Sequence, residues 1–117
     1  MSKIIKLEQE LITFDDESTL SSSHDGDCCE SHYIDASGIE LDEVKDLEFD
    51  LTQSLEQLIE RVEGYGIRLK SLNNFALPIP AYGYNNGFYG TNIDLTLQTK
   101  NKSETIDISE CQDISYD

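Results

Sequence analysis

The chain has no tryptophan, one methionine, two prolines and only eight basic residues among its 117. So few lysines and arginines exclude a surface that docks on nucleic-acid phosphates or an anionic membrane, because both need clustered positive charge. No apolar run reaches the ~18 residues that a membrane-spanning helix needs. The N-terminus, M-S-K-I-I-K-L-E-Q-E, breaks its apolar patch with Lys6 and Glu8 and lacks the organisation of a signal peptide. A cytosolic protein is expected. Three cysteines, an odd number without an export signal, argue against a disulfide framework and for reduced thiols. Walker A, G-x-G-x-x-G, G-x-S-x-G and H-E-x-x-H are all missing, which points to a binding protein rather than an enzyme.

What the chain has in excess is carboxylate. Its 24 acids give a net charge of −16. Their placement is uneven. Residues 8–63 hold 18 acids against Lys45 and Arg61, whereas residues 64–103 hold Asp94 alone against Arg68, Lys70, Lys100 and Lys102. Residues 104–117 are acidic again, with five carboxylates and no base. Six of the ten aromatics fall in the nearly uncharged stretch: Tyr65, Phe75, Tyr82, Tyr84, Phe88 and Tyr89. In A-Y-G-Y-N-N-G-F-Y-G-T-N the aromatics alternate with turn residues, a pattern that a core does not readily explain.

The length suits one domain over 1–117, with 104–117 an acidic C-terminal strand and tail. The first segment, 3–14, reads as one strand or two short pieces with Ile5, Leu7 and Leu11 inward. Residues 18–24 and 29–36 suggest a hairpin with Asp25 and Gly26 at its tip. Leu47, Phe49 and Leu51 alternate with Glu48 and Asp50, as in a half-buried strand. Residues 54–63 predict a helix: Leu55, Leu58, Ile59 and Val62 recur at i, i+3, i+4 and i+7. Ser54 and Gln57 have capping-box spacing, and Gly64 offers a stop. Ile67 and Leu69, with Leu72 beyond them, read as a strand, and Pro78 with Pro80 breaks regular structure. Ile93, Leu95 and Leu97, followed by Ile106 and Ile108, predict an antiparallel hairpin. The expected class is α+β: a mainly antiparallel sheet with one principal helix, 54–63, packed on it.

One stretch concentrates ligand-type residues: S-S-S-H-D-G-D-C-C-E-S-H-Y-I-D, residues 21–35. His24, Cys28 and His32, with Cys111 from the tail, are donor types that zinc prefers. The spacing H-x3-C-C-x2-H counts against them, because adjacent cysteines on a strand point to opposite faces. The same geometry strains a vicinal disulfide. The neighbouring carboxylates disfavour a thiolate, so neither a redox pair nor a nucleophilic cysteine is expected. Division of Cys28 and Cys29 between core and surface is the simpler reading, with no cofactor and with zinc as the alternative.

The segments D-C-C-E-S-H-Y-I-D and Y-G-Y-N-N-G-F-Y-G-T-N-I-D-L resemble a family of small phage and prophage proteins of unknown function that carry an acidic D-C-C-x-S motif. The resemblance implies a phage accessory protein made in the bacterial host cytoplasm, and it lends no functional residue. Combined with the charge, it leads to the expectation of an inhibitor of a host defence nuclease, of CRISPR or restriction type. Duplex DNA carries one charge per about 1.7 Å of axis, so a competitor for its binding surface needs many carboxylates together. The candidate contacts are Asp15, Asp16, Glu17, Asp25, Asp27, Glu30, Glu40, Asp42, Glu43, Asp46, Glu48 and Asp50. Tyr82, Tyr84, Phe88 and Tyr89 are the candidate anchors. The alternative is a small structural phage domain with the Cys/His metal site.

Overall fold

The computed structural model describes residues 2–23, 31–85 and 92–116. In chain order the elements are β1 (Ile4–Leu7), β2 (Leu11–Phe14), β3 (Thr19–Ser23), β4 (Ser31–Ile34), α1 (Leu41–Val44), α2 (Leu55–Leu58), β5 (Ile59–Val62), β6 (Gly66–Leu69), β7 (Leu77–Asn85), β8 (Asp94–Gln98), β9 (Ser103–Asp107) and β10 (Asp113–Tyr116). The fold is mainly β, with helices of a single turn.

One sheet has the order β1-β2-β3-β8-β9, antiparallel throughout. Period-two burial explains it: Ile12, Phe14, Leu20, Leu95 and Leu97 are buried while their neighbours face outward or are half-buried. The second sheet is built on β7. Residues 77–80 of β7 pair with β6, which pairs with β5; the later residues pair with β4 antiparallel and with β10 in parallel. Residues 82–84 are paired with both β4 and β10, so those two strands occupy opposite edges of β7. Apolar side chains of both sheets join one core cluster.

The structure corrects several expectations. The helix predicted over 54–63 ends at Leu58, and residues 59–62 become β5. A lone ten-residue helix is marginal, whereas β6 satisfies the backbone of 59–62 in register from Ile59–Leu69 to Val62–Gly66. Gly64, at φ +75°, turns the β5–β6 hairpin instead of ending a helix. Ser54 does cap α2, its hydroxyl accepting the Gln57 N–H at 3.3 Å, and Glu104 of β9 accepts the Leu55 N–H at 2.7 Å.

β3 and β4 do not pair with each other; they lie in different sheets. Residues 24–30, with the expected tip, lie outside the described residues. Pro78 and Pro80 sit inside β7. Ala81 donates its N–H to Tyr65 across the β6 edge, so the prolines face the other edge and β6 loses no donor. The inward set of the first hairpin is Ile4, Ile12 and Phe14, while Ile5 is 54% exposed. Residues 47–51 keep their alternation, with Leu47, Phe49 and Leu51 buried, but form an extended segment bridged to Ser2 rather than a strand. Phe49 meets Phe14 edge to face at 5.8 Å, a contact worth about 1 kcal/mol beyond its buried area. Leu72 is exposed and belongs to no strand. No helix among the described residues is long and apolar enough to cross a membrane.

Candidate interaction surface

The acidic residues are gathered by the backbone, beginning at the β2–β3 turn. Asp15, Asp16 and Glu17 are all exposed there. The turn closes through Phe14 N–H to the Ser18 carbonyl at 2.9 Å, and Glu17 takes a left-handed φ of 73°. Asp16 holds the turn from within: its carboxylate accepts the Ser18 N–H at 3.0 Å and the Ser2 hydroxyl at 2.8 Å. Partial burial pushes its carboxyl up, but the Ser18 and Ser2 donors outweigh that and keep it below the usual aspartate range.

Ser2 carries the link onward. Its N–H donates to the Phe49 carbonyl at 3.0 Å and its carbonyl accepts the Phe49 N–H at 2.8 Å. Asp50 therefore comes to the same side as Asp16, and both line a cleft of about 710 Å³ floored by Phe49 and Leu51. The Thr52 hydroxyl and N–H, at 2.5 and 3.0 Å, hold the Asp50 carboxyl below its usual range. Lys102 lines the far wall, where its ammonium donates to the Gln53 and Thr52 carbonyls and to Glu104.

α1 continues the acidic surface with Glu40, Asp42 and Glu43 exposed and Val44 buried beneath them. Lys45 lies 3.7 Å from Asp42. Asp46 is exposed, and Glu48 and Asp50 are half-exposed between the buried Leu47, Phe49 and Leu51. Among the described residues, Glu17, Glu40, Glu43, Asp46 and Glu48 form no ion pair. The 46–48 backbone is fixed by Asn73, whose side chain donates to the Asp46 carbonyl and accepts the Glu48 N–H, each at 3.0 Å.

That contact brings in residues the sequence reading did not select. The loop following β6 carries Leu72, 50% exposed, and Phe75, 47% exposed. Phe75 borders a groove of about 280 Å³ shared with Ile39, Glu40, Glu43, Val44 and Leu77. The signal available in the sequence was S-L-N-N-F-A, a turn-forming Asn pair directly before an aromatic.

The remaining candidates are placed elsewhere. Tyr82, 38% exposed on β7, leans against Tyr33 with centroids 6.2 Å apart rather than against the acidic segments. The Tyr84 backbone lies in β7, beside β4 and β10. Asp25, Asp27, Glu30, Phe88, Tyr89, His24 and Cys28 lie outside the described residues.

His32 and Cys111, the other two metal candidates, are both buried. The His32 Nδ1–H donates to Gln112 Oε1 at 2.5 Å, and Gln112 Nε2 donates to the Ser109 carbonyl at 2.8 Å. Among the described residues, no three His, Cys, Asp or Glu side chains are grouped to hold a metal ion.

The chain matches no protein-family model, no curated protein and no solved structure. Its chemistry has to come from the surface itself. There the Ser2–Phe49 bridge brings the acidic β2–β3 turn to the end of the exposed acidic segment 40–50, with Lys100 and Lys102 on the cleft between Asp16 and Asp50.

Proposed function

We propose that the protein is a phage accessory inhibitor, acting in the bacterial host cytoplasm, that occupies the basic nucleic-acid-binding surface of a host defence nuclease. It acts by binding rather than by catalysis. The observation that carries this reading is the Ser2–Phe49 bridge, which brings Asp15, Asp16 and Glu17 to Glu48 and Asp50, at the end of the run Glu40, Asp42, Glu43 and Asp46; Lys3 and Lys45 lie among these acids, and Lys100 and Lys102 line the cleft with Asp16 and Asp50. Such a run of carboxylates offers a basic cleft what a phosphate backbone offers, and it speeds encounter by steering. The resemblance of D-C-C-E-S-H-Y-I-D to phage proteins supplies the biological setting.

The test is capture of a CRISPR or restriction nuclease from bacterial lysate, followed by competition with DNA across a salt series. Association should weaken at least tenfold as salt rises from 50 to 200 mM, about the loss expected when several charge contacts are screened. Reversal of Asp42, Glu43 and Asp46 to lysine should weaken it far more than reversal of Glu110 and Asp113. Salt-independent binding, or equal effects from both sets, would refute the reading.

A further inference from the structure

An exposed phenylalanine at the mouth of an apolar groove, on a loop held by hydrogen bonds, is the kind of aromatic anchor that interfaces use. Phe75 is such a residue. The Ser71 hydroxyl donates to the Phe75 carbonyl at 2.8 Å and accepts the Asn74 N–H at 3.2 Å, and the Phe75 N–H donates to the Asn74 side chain at 2.9 Å. The neighbouring Asn73 is tied to Asp46 and Glu48, and the Leu72 N–H donates to the Glu48 carbonyl at 2.8 Å. The loop is thus fastened at both ends, and Phe75 stands preorganised at the mouth of the groove. Little ordering entropy remains to oppose a partner.

The groove is apolar inside and acidic at the lip. Val44 and Leu77 are buried beneath it, Ile39 is half-buried, and Glu40 and Glu43 stand at its edge with no ion pair among the described residues. Asp42 and Asp46 extend the same charge to either side of Glu43 along the chain. A second copy of this chain is a poor occupant, because each carries −16 and the lips would repel. An anionic membrane or a nucleic acid is excluded by the same sign.

We infer that the groove between α1 and residues 71–78 is a docking site for a basic segment of a partner protein, taking one aliphatic side chain against Phe75 while flanking Lys or Arg residues meet Glu40 and Glu43. This inference rests on the functional reading above and adds the contact that gives specificity: charge steers the encounter, and the apolar anchor selects the segment.

Two fluorescent probes test it: a short amidated Lys/Arg/Gly peptide with one central leucine, and the same peptide with serine in its place. Fluorescence anisotropy should show the leucine peptide binding at least tenfold more tightly. Phe75→Ser should abolish that preference without weakening the serine peptide, and Leu72→Ser, a change at an exposed residue outside the groove lining, should leave both the preference and the melting temperature unchanged. Glu43→Gln should weaken both probes. Equal, salt-sensitive binding of the two peptides would overturn the groove and leave the acidic docking reading standing. Failure of both probes to bind at low salt would overturn the groove together with that reading. A dimer in sedimentation that Phe75→Ser dissolves would assign the groove to a second copy of the chain and overturn the proposal.

Discussion

Gly83 packs directly against a buried side-chain pair, and replacing it tests the packing of the second sheet. It lies on β7 opposite His32 of β4 on one edge and Ile114 of β10 on the other. A Cβ built there falls 2.5 Å from His32 Nδ1 and closer still to Gln112 Oε1, the two atoms of one buried hydrogen bond. Alanine must push that pair apart. Overpacking costs about 1–3 kcal/mol, and separating a buried hydrogen-bonded pair adds about 1–2 kcal/mol. Against this stands a gain of about 0.5 kcal/mol from a less flexible unfolded chain. The expected net loss for Gly83→Ala is about 3 kcal/mol, or roughly 12 °C in melting temperature for a domain of this size. Gly38→Ala is the control, because nothing lies within 4 Å of its Cβ, and it should shift stability by less than about 0.5 kcal/mol. Urea and thermal unfolding followed by circular dichroism read both. In a double-mutant cycle, His32→Ala should reduce the cost of Gly83→Ala, since one of the two obstructing groups is gone. A Gly83→Ala protein within about 1 kcal/mol of the parent would refute the account of this site.

Two further outcomes follow from the titrating groups. The Leu55 N–H and the Lys102 ammonium hold the Glu104 carboxyl below the usual glutamate range, and Ser109 does the same for Asp107 with its hydroxyl and N–H. A depressed folded pKa means that the stabilisation is present above the unfolded value and lost as pH falls toward the folded one. The melting temperature should therefore drop below about pH 4, and Glu104→Gln should be less stable near neutrality and lose less on acidification. A Glu104→Gln profile parallel to the parent's would refute the linkage. Burial, reinforced by Glu110, pushes the Cys111 thiol up. Alkylation with peptide mapping should accordingly modify Cys111 in urea but scarcely at neutral pH in the folded protein.

How much of the site was legible differed by residue. Glu40, Asp42, Glu43 and Asp46 were selected from charge density alone and are exposed in the structure. Asp16 and Asp50 were selected on the same grounds, yet both also fasten local turns, a task invisible without their partners Ser2, Ser18 and Thr52. Phe75 was passed over in favour of Tyr82, because a linear sequence gives no reason to bring residues 71–78 against α1. The Asn73 bridge to Asp46 and Glu48 spans more than twenty residues of chain.

The fold divides along the same line. Strict alternation over residues 93–97, and the apolar pair of Ile67 and Leu69, determined β8 and β6 by themselves, because period two puts one face inward in any context. Composition likewise determined the sign of the surface, since eight bases cannot neutralise 24 acids in any arrangement. Tertiary structure decided where local signals were balanced. Residues 59–62 satisfy a helical period, but pairing with β6 turned them into strand. The prolines of β7 needed an edge on which a missing N–H costs nothing, and only the position of β6 supplied one. Partner choice between strands was also decided there: β3 joined β8 and β4 joined β7, because burying two apolar faces in one core outweighs the short hairpin that sequence proximity suggests.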